Sequence, residues 1–220
     1  MAAAHAGVEV VVEGGGGLYP AVRGVLDSRS WGWATWLNDD DRFEAGIRAP
    51  AEVASGRGEI VYGDVQYIDV ESKRICRMPI ASPRDVAAVL ANGRAPFTQQ
   101  GTFFARDLWV RSGGFDERWS LAADYGLWCR ATADGSACLR VPEIVASFRL
   151  HRGQLSADRV SMHREMEHIR RECGVGLRAF ARRGGLFAFR AGAVLRIAER
   201  LLRTGTWSSE GLYAKYCARS

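Results

Sequence analysis

Apolar residues fall along the chain in short blocks whose spacing switches between strand-like and helix-like. Val8 to Val12 is a β-branched run that ends at Glu13 and four glycines, Gly14 to Gly17, each tolerant of positive φ. Tyr19 to Leu26 predicts one or two helical turns, with Pro20 acceptable in the first turn. Trp33 to Leu37 predicts a buried strand that stops in polar Asn38, Asp39, Asp40 and Asp41, and Phe43 to Ser55 predicts a helix. The clearest strand runs from Glu59 to Val70, followed by a hairpin turn at 69–73 and a second strand near Ile75. A short helix over Pro83 to Ala91 follows. Then come a strand at Thr102 to Ala105, a helical turn at Asp107 to Ser112 closed by Gly113-Gly114, a helix over Ala122 to Ala133, and a strand over Leu139 to Leu150 interrupted at Pro142. Strands alternating with helices predict an α/β layer architecture.

Beyond His151 the texture changes to two helical stretches, Asp158 to Cys173 and Leu177 to Leu202, the second expected to break at Gly184-Gly185. Charge changes at the same place. Residues 1–150 hold 16 Lys and Arg against 19 Asp and Glu, whereas residues 151–220 hold 14 against 6, so the net charge of +5 belongs to the tail. The division predicts a body over 1–156 and a basic helical extension over 157–220. Packing of the tail against the body, with solvated arginines, is one expectation. Peripheral contact with an anionic membrane surface is the other. An acidic body and a tail without interleaved aromatics argue against nucleic-acid binding. No apolar run approaches the ~18 residues of a spanning helix, and Met1 to Val12 lacks the features of a secretory signal. Five cysteines without a CxxC pair fit neither a zinc site nor a disulfide framework, which predicts reduced thiols in a cytoplasmic setting.

The acidic cluster at the end of the Trp33–Leu37 block stands where open α/β sheets place ligand crevices. Carboxylates this close repel, and hard oxygen donors suit Mg²⁺ or Mn²⁺ with positions left open for phosphates. The bland alternative is a solvated turn that caps the helix expected from Phe43.

Six segments carry a resemblance. Trp36-Leu37-Asn38-Asp39-Asp40-Asp41-Arg42 resembles the "WLNSDD" form of the DxD motif of family 2 glycosyltransferases of the GT-A fold. Val61-Tyr62-Gly63-Asp64 resembles that family's "YGD" strand, and Gln99-Gln100-Gly101-Thr102-Phe103-Phe104 its "PQpatFF" segment. Gly113-Gly114-Phe115-Asp116-Glu117 is similar to "GGFDE", Ala123-Asp124-Tyr125-Gly126-Leu127-Trp128 to "mDYdLWlR", and Phe148 to Ser156 to "yRlHpgqlS". The resemblance implies a GT-A-like mixed sheet flanked by helices, with a C-terminal helical tail. It implies a glycosyltransferase moving a sugar from a nucleotide-sugar donor to a glycan, lipid-linked or other hydroxyl acceptor, with inversion and with Mg²⁺ or Mn²⁺. Asp40 is implied as the metal ligand and Asp124 as the general base. Asn38, Asp39, Asp41 and His151 are implied on the donor side, and Gln100 and Thr102 on the acceptor side. Plainer roles stand beside these: Asp124 as a helix N-terminal carboxylate, His151 as a surface residue, Asp64 as the holder of a turn.

The family's opening strands, "vSIVtPsyN" and "iDggStDgt", have no counterpart before Asn38. Glu13 to Tyr19 resembles part of its "EpDrGlYdAiNkG" segment, with Gly15 and Pro20 where Asp is usual. The expectation is a domain lacking its first nucleotide-binding strands, read as a fragment, as one half of a two-chain sheet, or as a degenerate non-catalytic homologue serving as a binding subunit.

Overall fold

The computed structural model describes Val11 and residues 15–54, 59–174 and 183–217, and for 183–193 the backbone alone. The run at Val8 to Val12, apart from Val11, and the start of the stretch expected from Leu177 lie outside the described residues. In chain order the elements are α1 (Leu18–Ser28), β1 (Trp33–Ala34), β2 (Arg42–Phe43), α2 (Arg48–Ala54), β3 (Ile60–Ile68), β4 (Arg74–Arg77), α3 (Val86–Ala91), β5 (Thr102–Ala105), α4 (Arg106–Arg111), α5 (Ala123–Ala133), β6 (Cys138–Arg149), α6 (Arg159–Glu172), α7 (Arg183–Thr204) and α8 (Ser209–Cys217).

The fold is α/β, with a mixed sheet in the order β1-β5-β3-β6-β2. β3 is its axis. It runs parallel to β6 along one edge, while β5 and β4 share its other edge, antiparallel, at its start and its end. All nine residues of β3 are buried, as a strand covered on both faces requires. Ile60 and Tyr62 face the main core with Phe104, Leu108, Leu127 and Trp128. Val61 and Val65 face the opposite side with Val145 and Ala54. A third cluster, built on Tyr67, Cys76 and Leu150, is closed by Leu212 and Tyr213 of α8.

Several elements differ from the sequence expectation. Arg42–Phe43 is a strand rather than the start of a helix, because it pairs with Ser147 and Ala146 of β6, and Glu44 N–H donates to Val145 O at 2.9 Å. Ladder pairing outweighs local helix propensity there. The helix that follows is confined to α2, after a 3₁₀ turn at Ala45–Ile47. Only Trp33–Ala34 of the expected Trp33–Leu37 strand pairs, so the approach to the acidic cluster is a loop. Gly184 and Gly185 lie within α7 without breaking it, and α8 had no periodic signal. Among the described residues no helix is long and apolar enough to cross a membrane.

Two close approaches fix the sheet. Gly63 sits at the irregular register between β3 and β6, and a Cβ there would overlap the Val145 side chain. Beside it, Asp64, 2% exposed, receives three guanidinium groups: Arg140 Nη2 at 2.5 Å from β6, Arg196 Nη2 at 2.9 Å from α7, and Arg77 Nη1 at 3.7 Å from β4. Asp64 therefore holds neither a turn nor a surface position. Arg196 also donates to Met78 O at 2.5 Å. Removing one member of a buried ion cluster leaves the others uncompensated. Asp64→Asn is expected to cost roughly 3 kcal/mol, read as a lower urea midpoint, with Arg196→Gln costing less because two arginines remain.

Candidate active site

The loop after β1 separates neighbouring aspartates by direction. Trp36 packs edge-on against Phe115 and Phe104, with ring centroids 5.2 and 6.0 Å apart, which anchors the loop before it turns. A turn closed by Asp41 N–H to Asn38 O at 3.2 Å then sends Asp41 inward. Its carboxylate accepts from Gln100 Nε2 at 2.7 Å and from Arg149 N–H at 2.9 Å, and burial pushes its pKa up to about 6. Asp41 thus works as a post beneath the loop. Asp40 points the other way, and its Oδ2 lies 2.7 Å from His151 Nε2.

Arg149 makes this split rigid. It is the last residue of β6, and its guanidinium donates to Asp40 O at 2.7 Å, Asp69 O at 2.8 Å and Ser72 Oγ at 3.0 Å. One side chain thereby staples the acidic loop to the β3–β4 hairpin turn. Two residues on, His151 has Nδ1 2.7 Å from Arg152 O. Both of its ring nitrogens therefore face acceptors, the arrangement of an imidazolium. Its pKa is raised, first by the Asp40 hydrogen bond.

Opposite lies Asp124, the second residue of α5, half-buried. Its Oδ1 accepts from Tyr19 OH at 3.0 Å and Tyr125 N–H at 2.8 Å. Burial raises its pKa, against the lowering effect of these donors. The 3₁₀ turn Gln99–Gly101 supplies Gln99 and Gln100. Both amide atoms of Gln99, and Gln100 Oε1, are buried without a partner, as are Asn38 Oδ1 and Asp40 Oδ1. Buried polar atoms are usually paired, so a cluster of orphans calls for a polar occupant.

These groups share one cavity of about 1230 Å³, whose walls include Asn38, Asp39, Asp40, Gln100, Asp124 and His151. Asp41 is not on the lining. Thr102 is absent from it too: its hydroxyl donates to Thr98 O at 2.7 Å and the residue is fully buried. No sequence signal singles out Tyr19 or Arg149, although each lies within a quoted motif; what they do depends on tertiary partners. Asp40 offers one carboxylate, and His151 would add a nitrogen donor only after losing its proton from Nε2. Among the described residues no group of three or more His, Cys, Asp or Glu is placed to hold a metal ion. Any cation at Asp40 would take its remaining donors from ligand oxygens and water, a habit of Mg²⁺.

No protein-family model matches the chain, and no curated protein is significantly similar to it.

The Tyr19–Asp124 contact is testable by titration. A carboxyl group whose folded pKa exceeds its unfolded value binds more protons folded than unfolded, so its contribution to stability falls as pH rises from the ordinary carboxylate value through the folded one. Tyr19→Phe removes a donor that lowers the pKa, and is expected to move the Asp124 carboxyl resonance, followed by ¹³C NMR, to a higher titration midpoint. An unchanged or lower midpoint would contradict this.

Proposed function

We propose that this chain is a glycosyltransferase of the GT-A type, similar to family 2, which moves a sugar from a nucleotide-sugar donor to an acceptor hydroxyl with inversion. The observation that carries the reading is the convergence, on one cavity, of the Asp40–His151 pair and Asp124, with orphaned amide atoms of Asn38, Gln99 and Gln100 and an orphaned carboxylate oxygen of Asp40 on the same walls.

In this reading Asp124 is the general base. It accepts the proton of the acceptor hydroxyl as that oxygen bonds to the anomeric carbon, while the bond from that carbon to the diphosphate breaks and the diphosphate leaves with the electron pair. A carboxylate made more basic by burial and oriented by Tyr19 suits that task. Single displacement needs no nucleophile on the protein. Asp40, with His151 beside it, would hold Mg²⁺ or Mn²⁺, which supplies charge neutralisation at the leaving diphosphate. Asp41, Gln100 and Arg149 position that pair rather than touch the donor. The acceptor is a glycan, lipid-linked or other hydroxyl compound met on the cytoplasmic side, with the basic tail available to a membrane surface. The rival reading, a non-catalytic binding subunit derived from the same fold, is favoured by the lack, among the described residues, of three or more His, Cys, Asp or Glu placed to hold a metal.

Calorimetric titration of the 220-residue chain with Mn²⁺ and UDP-, GDP- and dTDP-sugars separates the two. The transferase reading expects metal-dependent binding that Asp40→Ala abolishes. It also expects Asp124→Asn to bind the donor but to lose transfer by roughly 10²–10⁴-fold. Absence of metal-dependent nucleotide-sugar binding overturns catalysis by this chain, and full transfer by Asp124→Asn overturns the base assignment.

A further inference from the structure

The cavity has a second charged wall, made by the C-terminal helices, that the transferase chemistry leaves unused. Arg200 of α7 is only 5% exposed, yet among the described residues its guanidinium makes a single hydrogen bond, Nη2 to Trp207 O at 2.7 Å. Its Nε is buried without a partner, and among the described residues no carboxylate lies within ion-pair distance. The adjacent Glu199 is taken by Arg74 at 2.5 Å and Arg203 at 3.3 Å. Arg159 of α6 faces the same wall. Its Nε is likewise buried and unpartnered, and its guanidinium lies over the Tyr213 ring at 5.0 Å. Its nearest carboxylate is Glu210 at 4.0 Å, whose side chain is 62% exposed. His163 is the remaining ionisable side chain of α6 on the lining, and His151 and Asp40 lie further along it.

A guanidinium almost wholly removed from water without a counter-ion is costly, and a fold retains one where a ligand provides the anion. Arg200 is such a group, and Arg159, its side chain 26% exposed and its ion pair with Glu210 stretched to 4.0 Å, adds a second cation to the cavity from a separate helix, where the Ser156 and Tyr213 hydroxyls lie 3.4 Å apart; together they exceed what a single carboxylate needs. They match a phosphoryl dianion, which guanidinium forks bind in a bidentate manner. We propose that Arg159 and Arg200 form a subsite for a phosphoryl group, with the rest of the cavity housing the organic part of that ligand. The subsite uses neither Asp40 nor Asp124, and it stands whether or not the chain transfers sugar.

The test is calorimetric titration of the full chain with inorganic pyrophosphate, in EDTA and at constant ionic strength. Saturable binding is expected. Arg200→Gln and Arg159→Gln should each weaken it at least about tenfold, the worth of a charge-assisted hydrogen bond. Arg84→Gln, on the exposed surface, should leave it unchanged. Wild-type protein that shows no saturable binding overturns the subsite, as does undiminished binding by both variants. Should Arg200→Gln fail to fold, Arg159→Gln still decides. Displacement of pyrophosphate by UDP in EDTA assigns the group to a soluble nucleotide; sedimentation with phosphatidic acid vesicles, but not with phosphatidylcholine vesicles, assigns it to a lipid headgroup. Pyrophosphate binding without metal-dependent nucleotide-sugar binding would leave the subsite standing and the transferase reading fallen.

Discussion

A carboxylate in the middle of the central strand organises this molecule. Asp64 stands where β3 is covered on both faces, so it cannot be ionised there without partners. Its partners come from β4, β6 and α7, which places the hairpin, the parallel neighbour and a tail helix around one point. The glycine before it admits the Val145 side chain, and that close contact coincides with the register shift between β3 and β6. A two-residue slip of β6 on β3 would keep each side chain on its own face, so hydrophobic burial alone does not exclude it. An ion cluster with bonded geometry tolerates far less slippage.

The register has consequences at the far end of the same two strands. β6 ends at Arg149, paired with Ile68, so the guanidinium arrives at the hairpin turn and at the acidic loop together. Because Arg149 offers its backbone N–H to Asp41 and its side chain to the Asp40 carbonyl, consecutive aspartates are forced to opposite sides of the loop. Like charges at adjacent positions would otherwise repel freely in solvent. Here one is buried with a raised pKa and the other meets His151, so the repulsion is divided between two environments. Site geometry is thus inherited from sheet register rather than from the loop itself.

Much of this was legible in the residues and some was not. Periodicity sufficed for β3, β5 and α5, which are continuous and buried, and for α6, where Asp158 caps the helix by accepting from Ser161 N–H at 3.0 Å. It failed at Arg42–Phe43 and Ser209–Cys217, where pairing with β6 and packing on Tyr67 and Leu150 decide the conformation. Candidate residues were legible as an acidic run, an Asp at a helix start and a His after a strand. Which aspartate faces the cavity, and which becomes a structural post, depends on Gln100 and Arg149, 59 and 108 positions away. Thr102 illustrates the same limit: a hydroxyl in a suggestive motif is used up by the Thr98 carbonyl.

Composition separates a mildly acidic body from a strongly basic tail, but packing does not respect that boundary. Met166 and Ile169 of α6 belong to the main core, and Leu212 and Tyr213 of α8 close the third cluster. The tail's arginines are correspondingly unequal. Arg196 neutralises the carboxylate at the centre of the sheet, and Arg170 and Arg171 pair within their own helix with Glu167. Among the described residues Arg200 has no carboxylate partner and Arg159 has only the 4.0 Å pair with Glu210, and both lie on the cavity. A positive tail on an acidic body is therefore more than a solvated appendage: part of its charge is internal to the fold, and the part left over is aimed at the chamber whose opposite wall carries the carboxylates.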